Sequence, residues 1–291
     1  MLRFRPLLRT ISPAHQLYAR SATRAYASEV SPGSGRQADL SGLGPKRFYD
    51  EVNIAPQPNG SFAVTVDGKV VRTPLRSALT APTSALATAV AAEWDAQVGR
   101  LRPASMPLTT LVSTALDVIP NTRDRIFAAA LNFLDTDTVC IRPDYPSELV
   151  EAQNKVFAPV LAHLEKERHA KLNIARGSLS APQTDQVRDT FSRIVRELDN
   201  YSLAAMDLAA ASSKSIAVAI ALRDGAVSAQ QALEAARSEE RWQMGVWGEV
   251  EGGHDLDEAD ALVRLSAANA VFRFVDMEPE AFLKATSDTK K

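Results

Sequence analysis

The stretch FYDEVNIAPQPNGSFAVTVDGKVVRT, residues 48–73, holds three short runs that are rich in β-forming residues. The runs are separated by Asn59-Gly60 and by Asp67-Gly68, dipeptides that favour the positive φ angles of tight hairpin turns. The stretch therefore predicts an antiparallel meander at the start of the folded part of the chain. Its strands are expected at residues 48–54, 61–66 and 69–73.

The residues that follow the meander predict helices that pack on the sheet. Thr83 is a candidate N-cap, and apolar residues then recur every four positions along one helix face, at Leu86, Val90, Trp94 and Val98. Further helical patterns lie at 109–118, 124–134 and 148–168. Two strand-like pieces lie at 138–142 and 172–175, and the second is expected to close the sheet.

Beyond a small, polar, proline-containing break at 178–182, the apolar residues keep a helical period. Helices are predicted along a stripe from Val187 to Leu198, over 203–222 as two short helices or one kinked helix, over 228–247 and over 256–275. The pattern predicts an α+β protein, with an antiparallel sheet plus helices in the N-terminal domain and an all-α helical bundle in the C-terminal domain. The expected boundaries are 46–178 for the α+β domain, 183–280 for the helical domain and 281–291 for a disordered tail.

The first 26 residues hold five arginines and no acid. Phe4, Leu7, Leu8 and Ile11 share one face of a short helix, with arginines on the other side. Basic, acid-free, amphipathic segments are typical of mitochondrial presequences, and a plain basic tail has no reason to lack acids. We expect a presequence at 1–26, followed by a flexible linker of Gly, Ser and Pro at 27–45.

Composition excludes several classes of function. Without the leader, 28 basic residues face 35 acidic ones, a net charge of −7 that argues against a nucleic-acid partner. The single cysteine, Cys140, excludes an intramolecular disulfide and a cysteine-rich metal cage. No apolar run of about 18 residues is present, so membrane insertion is not expected.

Motifs for chemistry are sparse. No glycine-rich phosphate loop follows a strand, and we expect no cofactor and no small-molecule substrate. Cys140 lies between Val139 and Ile141 and is interpreted as a small buried hydrophobe. Asp135 and Asp137 form an acidic pair that suits a divalent cation, although such residues between a helix and a strand are more often cap and turn residues.

Glu240 stands out in the predicted helix at 228–247. At about 100° per residue it falls among apolar residues that share one face, such as Leu233 and Met244. A carboxylate in such a stripe needs a donor, either from an arginine or tryptophan of this chain or from a partner. A satisfied core residue and a binding or catalytic residue both fit this pattern.

Strings of residues in a fixed order resemble one family. They include Arg47-Phe48-Tyr49, Val66-Asp67-Gly68-Lys69, Thr73-Pro74, Glu93-Trp94, Gln97, Met106-Pro107-Leu108-Thr109, Thr114-Ala115-Leu116-Asp117, Asp135-Thr136-Asp137, Gln153, Glu239-Glu240, Gln243 and the run from Trp247 to Asp255. The chain resembles the mitochondrial F1-ATPase assembly factor 2 family over about residues 46–275. Trp242 is one local departure, because a smaller or non-indole residue is expected beside Gln243.

The resemblance implies a chaperone of the mitochondrial matrix, without catalysis, that binds the free alpha subunit of F1-ATPase and promotes assembly of the F1 sector of ATP synthase. The residues expected to contact this partner are Glu240, Glu239, Gln243, Glu249 and Trp247, whereas Trp94 is expected to pack. Two other hypotheses remain open at this point: a metal-assisted hydrolase built on Asp135 and Asp137, and a permanent subunit of a respiratory complex.

Overall fold

The computed structural model describes residues 44–248 and 254–277. The predicted presequence at 1–26, nearly all of the linker at 27–45 and the tail at 281–291 lie outside the described residues, and they stay predictions.

A four-stranded antiparallel sheet opens the fold. Strands β1 (Val52–Pro56), β2 (Phe62–Val66), β3 (Lys69–Val70) and β4 (Thr80–Ala81) all pair through β2. Asp67 and Gly68 have φ angles of 46° and 76°, so the turn between β2 and β3 has the predicted geometry. The meander prediction is confirmed, whereas β4 was missed because two residues are too few to show a pattern.

Helix α1 (Ser84–Asp95) packs on this sheet. The hydroxyl of Thr83 accepts a hydrogen bond from the N–H of Leu86 at 3.2 Å, which confirms the predicted N-cap. Trp94 is buried near the end of α1. The helix ends at Asp95, so Val98 is 85% exposed and its assignment to the buried face was wrong.

Three more helices follow: α2 (Pro107–Asp117), α3 (Ile119–Asn132) and α4 (Ser147–Glu167). Proline in the first turn of α2 and of α3 is compatible with helix initiation, since its missing N–H would have no intrahelical partner there. Glu93 accepts hydrogen bonds from the N–H groups of Leu108 and Thr109, both at 2.7 Å, and thereby caps the start of α2.

Strands β5 (Ile141–Arg142) and β6 (Ala175–Arg176) form a separate two-stranded parallel sheet. The expectation that the second piece closes the antiparallel sheet was therefore wrong. Helix α4 lies between the two strands in the chain and supplies the crossover that a parallel pair requires.

From 183 onward the described chain forms only helices and their connections. These are α5 (Asp185–Arg196), α6 (Asn200–Ser213), α7 (Ile216–Asp224), α8 (Ala229–Ala236), α9 (Ser238–Trp247) and α10 (His254–Phe274). The pattern at 203–222 resolves into two helices, because Lys214 takes a left-handed conformation and Ser215 caps α7. The single helix predicted at 228–247 was wrong, since Arg237 interrupts it.

The buried residues of both halves form one contiguous core. Helix α6 packs against α2 and α10, and polar contacts join the halves. Thr83 Oγ1 donates to the carbonyl of Phe274 at 2.5 Å, and the Tyr201 hydroxyl donates to the carbonyl of Thr80 at 3.1 Å. The α+β fold class is confirmed, and the division into domains at 46–178 and 183–280 stays a prediction.

No helix among the described residues is both long enough and apolar enough to cross a membrane.

Asp137 joins the two halves at a fully buried position. Its carboxylate accepts hydrogen bonds from the N–H of Val139 at 2.9 Å and from the N–H of Ala217 at 3.1 Å. Ala217 lies in the first turn of α7, where backbone N–H groups lack intrahelical acceptors and the helix dipole favours negative charge. One carboxylate therefore fixes the start of α7 against the 137–142 segment.

Asp224 makes a second connection at the other end of α7. Arg168 donates to its carboxylate from Nε at 2.7 Å and from Nη2 at 2.5 Å, and His163 Nε2 lies 2.8 Å away. Burial alone would raise the pKa of Asp224, but the hydrogen bonds from Arg168 and His163 outweigh burial and hold the pKa below its usual value. This carboxylate links the end of α4 to the end of α7.

We predict that Asp137→Asn lowers the free energy of unfolding by about 2 kcal/mol, because the amide group turns a donor toward buried N–H groups that need an acceptor. Urea denaturation followed by circular dichroism measures the change. Asp50→Asn, at an exposed position, is the matched control and is expected to leave the midpoint unchanged. An unchanged midpoint for Asp137→Asn would contradict the assigned role.

We also predict a pH-dependent contribution from Asp224. Its folded pKa lies below the unfolded value of about 3.9, so its stabilising effect is present above about pH 4 and is lost as the pH falls through the lower folded pKa. The stability difference between the native chain and Asp224→Asn should hold from pH 7 to about pH 5 and shrink below about pH 4. A difference that stays constant down to pH 2 would refute this assignment.

Candidate functional site

Glu240 lies in the first turn of α9 and is 34% exposed at its side chain. Its carboxylate contacts Lys214 Nζ at 3.0 Å and Arg237 Nη1 at 3.3 Å. Because the helix breaks at Arg237, the face calculated for one continuous helix does not apply to Glu240. Glu240 is a half-exposed, paired carboxylate and not a buried one.

Arg237 is the buried member of this group, with 8% exposure. Its Nε lies 3.5 Å from Glu258 on α10, which is an ion-pair contact without hydrogen-bond geometry. Arg241 donates to the same carboxylate at 2.7 Å. We call these five side chains the Glu240 network, and its members are Lys214, Arg237, Glu240, Arg241 and Glu258.

The network ties together the end of α6, the start of α9 and the first turns of α10. It also reaches the N-terminal half, because the hydroxyl of Thr138 donates to the carbonyl of Lys214 at 3.3 Å. Three cations surround two carboxylates, so both glutamates have ion-pair partners within this chain, and the Glu240 side chain keeps 34% exposure. A buried arginine needs such neighbours, since an unpaired charge in the interior is costly.

The other residues predicted for partner contact are distributed around α9. Glu239 is exposed and accepts a hydrogen bond from Gln243 Nε2 at 3.3 Å. Trp247 is the last residue of α9, and its side chain lies outside the described set, as does the whole of Glu249. The role of these residues in binding stays a prediction.

Sequence reasoning missed four members of the network, Lys214, Arg237, Arg241 and Glu258. The i,i+3 spacing of Arg237 and Glu240 was a usable signal for that pair. Lys214 was visible as an interruption in an apolar run, but only its left-handed backbone directs the chain toward Glu240. Glu258 lies on another helix, and no local pattern connects it to Arg237.

The acidic pair proposed for a hydrolase has other partners. Asp135 binds Arg188 through both carboxylate oxygens, and the side-chain hydrogen bond from Arg188 lowers the pKa of Asp135. The Asp137 carboxylate accepts from backbone N–H groups, although burial raises its pKa to about 6. The described residues hold no group of three or more histidine, cysteine, aspartate or glutamate side chains arranged for a metal.

Two further sequence interpretations are confirmed. Cys140 is fully buried, and burial raises the pKa of its thiol far above the usual value, so it is a packed hydrophobe and not a nucleophile. Trp94 is buried against Tyr49, with ring centroids 5.7 Å apart, and the Tyr49 hydroxyl donates to the Trp94 carbonyl at 2.7 Å. Cys140 and Trp94 both pack in the hydrophobic core.

A cavity of about 630 Å³ lies beside Asp224, where α4, α7 and α10 end. Arg168, Arg223 and Arg273 line it. Arginines near helix C-termini complement the negative end of the helix dipole, and two of these also contact Asp224. The arginines of this cavity therefore have a structural role.

Comparison with known proteins relates the N-terminal half of this chain to a family of chaperones. Residues 46–165 match the family model of the ATP12 chaperone protein. The chain is 25% identical over 243 residues to the mitochondrial protein atp12 of Schizosaccharomyces pombe, which covers 79% of this chain and 83% of that relative. It is 25% identical over 273 residues to mitochondrial ATP12 of Saccharomyces cerevisiae, which covers 78% of this chain and 84% of that relative.

Two solved structures are similar to this chain over both of its halves. The crystal structure of Atp12 from Paracoccus denitrificans superimposes with a TM-score of 0.74 at 28% identity and covers 79% of this chain and 98% of its own. The Atu1473 protein of Agrobacterium tumefaciens gives a TM-score of 0.81 at 28% identity and covers 90% of this chain and 99% of its own.

Residues 46–165 belong to the ATP12 chaperone family.

Membership confirms the resemblance stated from the sequence strings. ATP12 proteins are assembly chaperones and not enzymes, so the hydrolase hypothesis was wrong. Membership supports a chaperone role in the assembly of F1-ATPase and implies an F1 subunit as partner. The two curated ATP12 relatives are named as mitochondrial proteins.

We predict that Glu240→Lys destabilises the junction of α6, α9 and α10 by on the order of 1 kcal/mol, because it leaves the network with four cations and Glu258 as its single carboxylate. The charge-swapped double variant Lys214→Glu/Glu240→Lys should recover part of that loss. Thermal unfolding at low salt measures both variants. If Glu240→Lys is as stable as the native chain, the network does not hold the junction.

Proposed function

We propose that this chain binds the free alpha subunit of mitochondrial F1-ATPase in the matrix, prevents its aggregation and promotes assembly of the F1 sector of ATP synthase. The observation that carries the proposal is membership in the ATP12 chaperone family, with structural similarity over both halves of the chain. The basic, acid-free leader at 1–26 supports import into mitochondria.

The C-terminal helices support the same role. A subunit that awaits assembly exposes apolar surface that its neighbours later cover, and a chaperone must hold this surface reversibly. The acidic body of this chain, with a net charge of −7 after the leader, suits a basic client surface and opposes self-association. We propose that Glu239, Glu240, Gln243, Glu249 and Trp247 take part in recognition of the alpha subunit.

Glu240 has two separable tasks in this proposal. It holds Arg237 and Lys214 within the chain, and it presents part of a carboxylate to the client. A charge reversal alone disturbs both tasks. The charge-swapped double variant restores the ion pair between positions 214 and 240, but not the pair with Arg237, and it keeps the reversed charge at position 240. Comparison of the two variants therefore separates loss of the Lys214 pair from loss of the carboxylate.

We predict that the native chain keeps alpha subunit soluble after dilution from denaturant and retains it on an affinity resin. Glu240→Lys should abolish capture while the helical circular dichroism signal stays intact. If the carboxylate contacts the client, Lys214→Glu/Glu240→Lys also fails to capture. Light scattering and co-purification are the measurements.

Lys171→Gln is a matched control, because it removes an exposed charge that pairs with Glu165, outside both the Glu240 network and α10. It should capture alpha subunit normally. Loss of folding in Glu240→Lys would assign Glu240 a purely structural role. Failure of the native chain to hold alpha subunit, with retention of a different F1 subunit, would overturn the choice of client.

A further inference from the structure

The outward face of α10 carries an apolar stripe. Leu256, Ala259, Val263 and Ser266 are all exposed, and at about 100° per residue they fall within a sector of roughly 80°. Leu256 is 72% exposed and Val263 is 45% exposed. The two residues are one heptad apart in the sequence. Two large side chains thus alternate with two small ones along the helix.

This spacing is the pattern of a helix-packing seam. Large residues at heptad spacing form knobs, and the small residues between them leave holes for side chains of a facing helix. The opposite face of α10 already packs on the core, where Leu265 and Ala268 are buried. The stripe is therefore additional to the surface that α10 needs for folding.

The sequence around the stripe is strongly acidic. Residues 249–260 contain six acids and no lysine or arginine. Asp255 and Asp260 flank the stripe on opposite sides, and Asp255 and Asp257 make no hydrogen bond or ion pair with any other described residue. First-turn acids stabilise a helix N-terminus, but a dipole needs far fewer than six carboxylates.

Several acids of the N-terminal half are instead held by the fold. Asp67 accepts from the N–H groups of Asp50 and Glu51, and Glu93 accepts from those of Leu108 and Thr109. These carboxylates satisfy backbone donors of the fold. The unpaired acids at the start of α10 satisfy none, so their charge is available to another molecule.

Resting on the function proposed above, we infer that the stripe Leu256-Ala259-Val263-Ser266 on α10 is a client-docking surface for an apolar helical segment of the alpha subunit that carries lysine or arginine beside its apolar residues. The heptad spacing of the stripe favours a helical segment of the client, and the acids beside the stripe favour basic residues on that segment. A second copy of this chain is disfavoured as occupant, because two such faces would oppose Asp255 and Asp257 with the same two acids.

The Glu240 network has a defined part in this surface. Glu258 points from α10 to Arg237 and Arg241, so the network sets the orientation in which α10 presents the stripe. Disruption of the network displaces the stripe without removing any residue from it. Through Arg237 and Glu258, Glu240 is thereby connected to the stripe on a different helix.

The test uses the full chain and alpha subunit diluted from denaturant. Leu256→Ser/Val263→Ser should weaken capture roughly tenfold, because it removes two exposed anchors from one contact. Both positions are exposed, so circular dichroism and the unfolding midpoint should match the native chain. Leu179→Ser/Val98→Ser is the matched control, with 82% and 85% exposure away from α10, and should capture normally.

Charge is tested separately. Asp255→Asn/Asp257→Asn should weaken capture several-fold and reduce its dependence on salt between about 0.05 M and 0.5 M NaCl. Normal capture by Leu256→Ser/Val263→Ser would overturn the docking surface while the proposed function stands. Absence of capture by the native chain would instead overturn the proposed function.

Two other occupants are outcomes of the same test. Self-association of the native chain in multi-angle light scattering that disappears in Leu256→Ser/Val263→Ser would assign the stripe to a second copy. Capture that rises in Arg5→Gln/Arg9→Gln would assign it to the basic leader of this chain. Either result overturns the proposal.

Discussion

The buried carboxylate of Asp137 is the constraint on which the rest of this structure depends. A carboxylate without solvent is tolerated only where donors surround it, and here the donors come from its own loop and from the first turn of α7. The position of α7 is therefore fixed relative to a segment that precedes it by about 80 residues. A hydrophobic contact would not specify this register, because apolar packing is not directional.

The consequences of that contact extend along the chain. Thr138, next to Asp137, binds the carbonyl of Lys214 in the turn before α7. The left-handed conformation of Lys214 ends α6 and brings its amine to Glu240. Through Arg237 and Glu258 the same series of contacts reaches α10. A buried polar group in the N-terminal half thus influences the orientation of the acidic helix at the C-terminal end.

Local chemistry explains which parts of the fold the sequence predicts. The Asp67-Gly68 turn, the Thr83 cap and the buried stripe that includes Phe191 each depend on residues within a few positions of one another. Long-range features escape such reasoning. The parallel pairing of β5 with β6 depends on the path of α4, and two-residue strands leave no periodic signal.

The candidate site shows the same division. Glu240 was identified because a carboxylate in an apolar stripe needs a partner, and it does have partners. The apolar face assigned to Glu240 was wrong, because it assumed one continuous helix through Arg237. The backbone is not helical at Arg237, so the residues on either side do not share that face. The residues that decide the environment of Glu240 lie on α6 and α10, so only the folded structure brings them together.

The distribution of acids relates the fold to the function. In the N-terminal half, Asp67, Glu93 and Asp117 bind backbone N–H groups, so their charge is used to build the sheet and to cap helices. At the start of α10, Asp255 and Asp257 remain exposed and unpaired among the described residues. As first-turn acids they favour the N-terminus of α10, whereas their mutual repulsion costs stability. A basic, apolar client offsets that repulsion when it binds, and this makes the acidic helix suited to holding a partner and releasing it when a better-matched subunit takes its place.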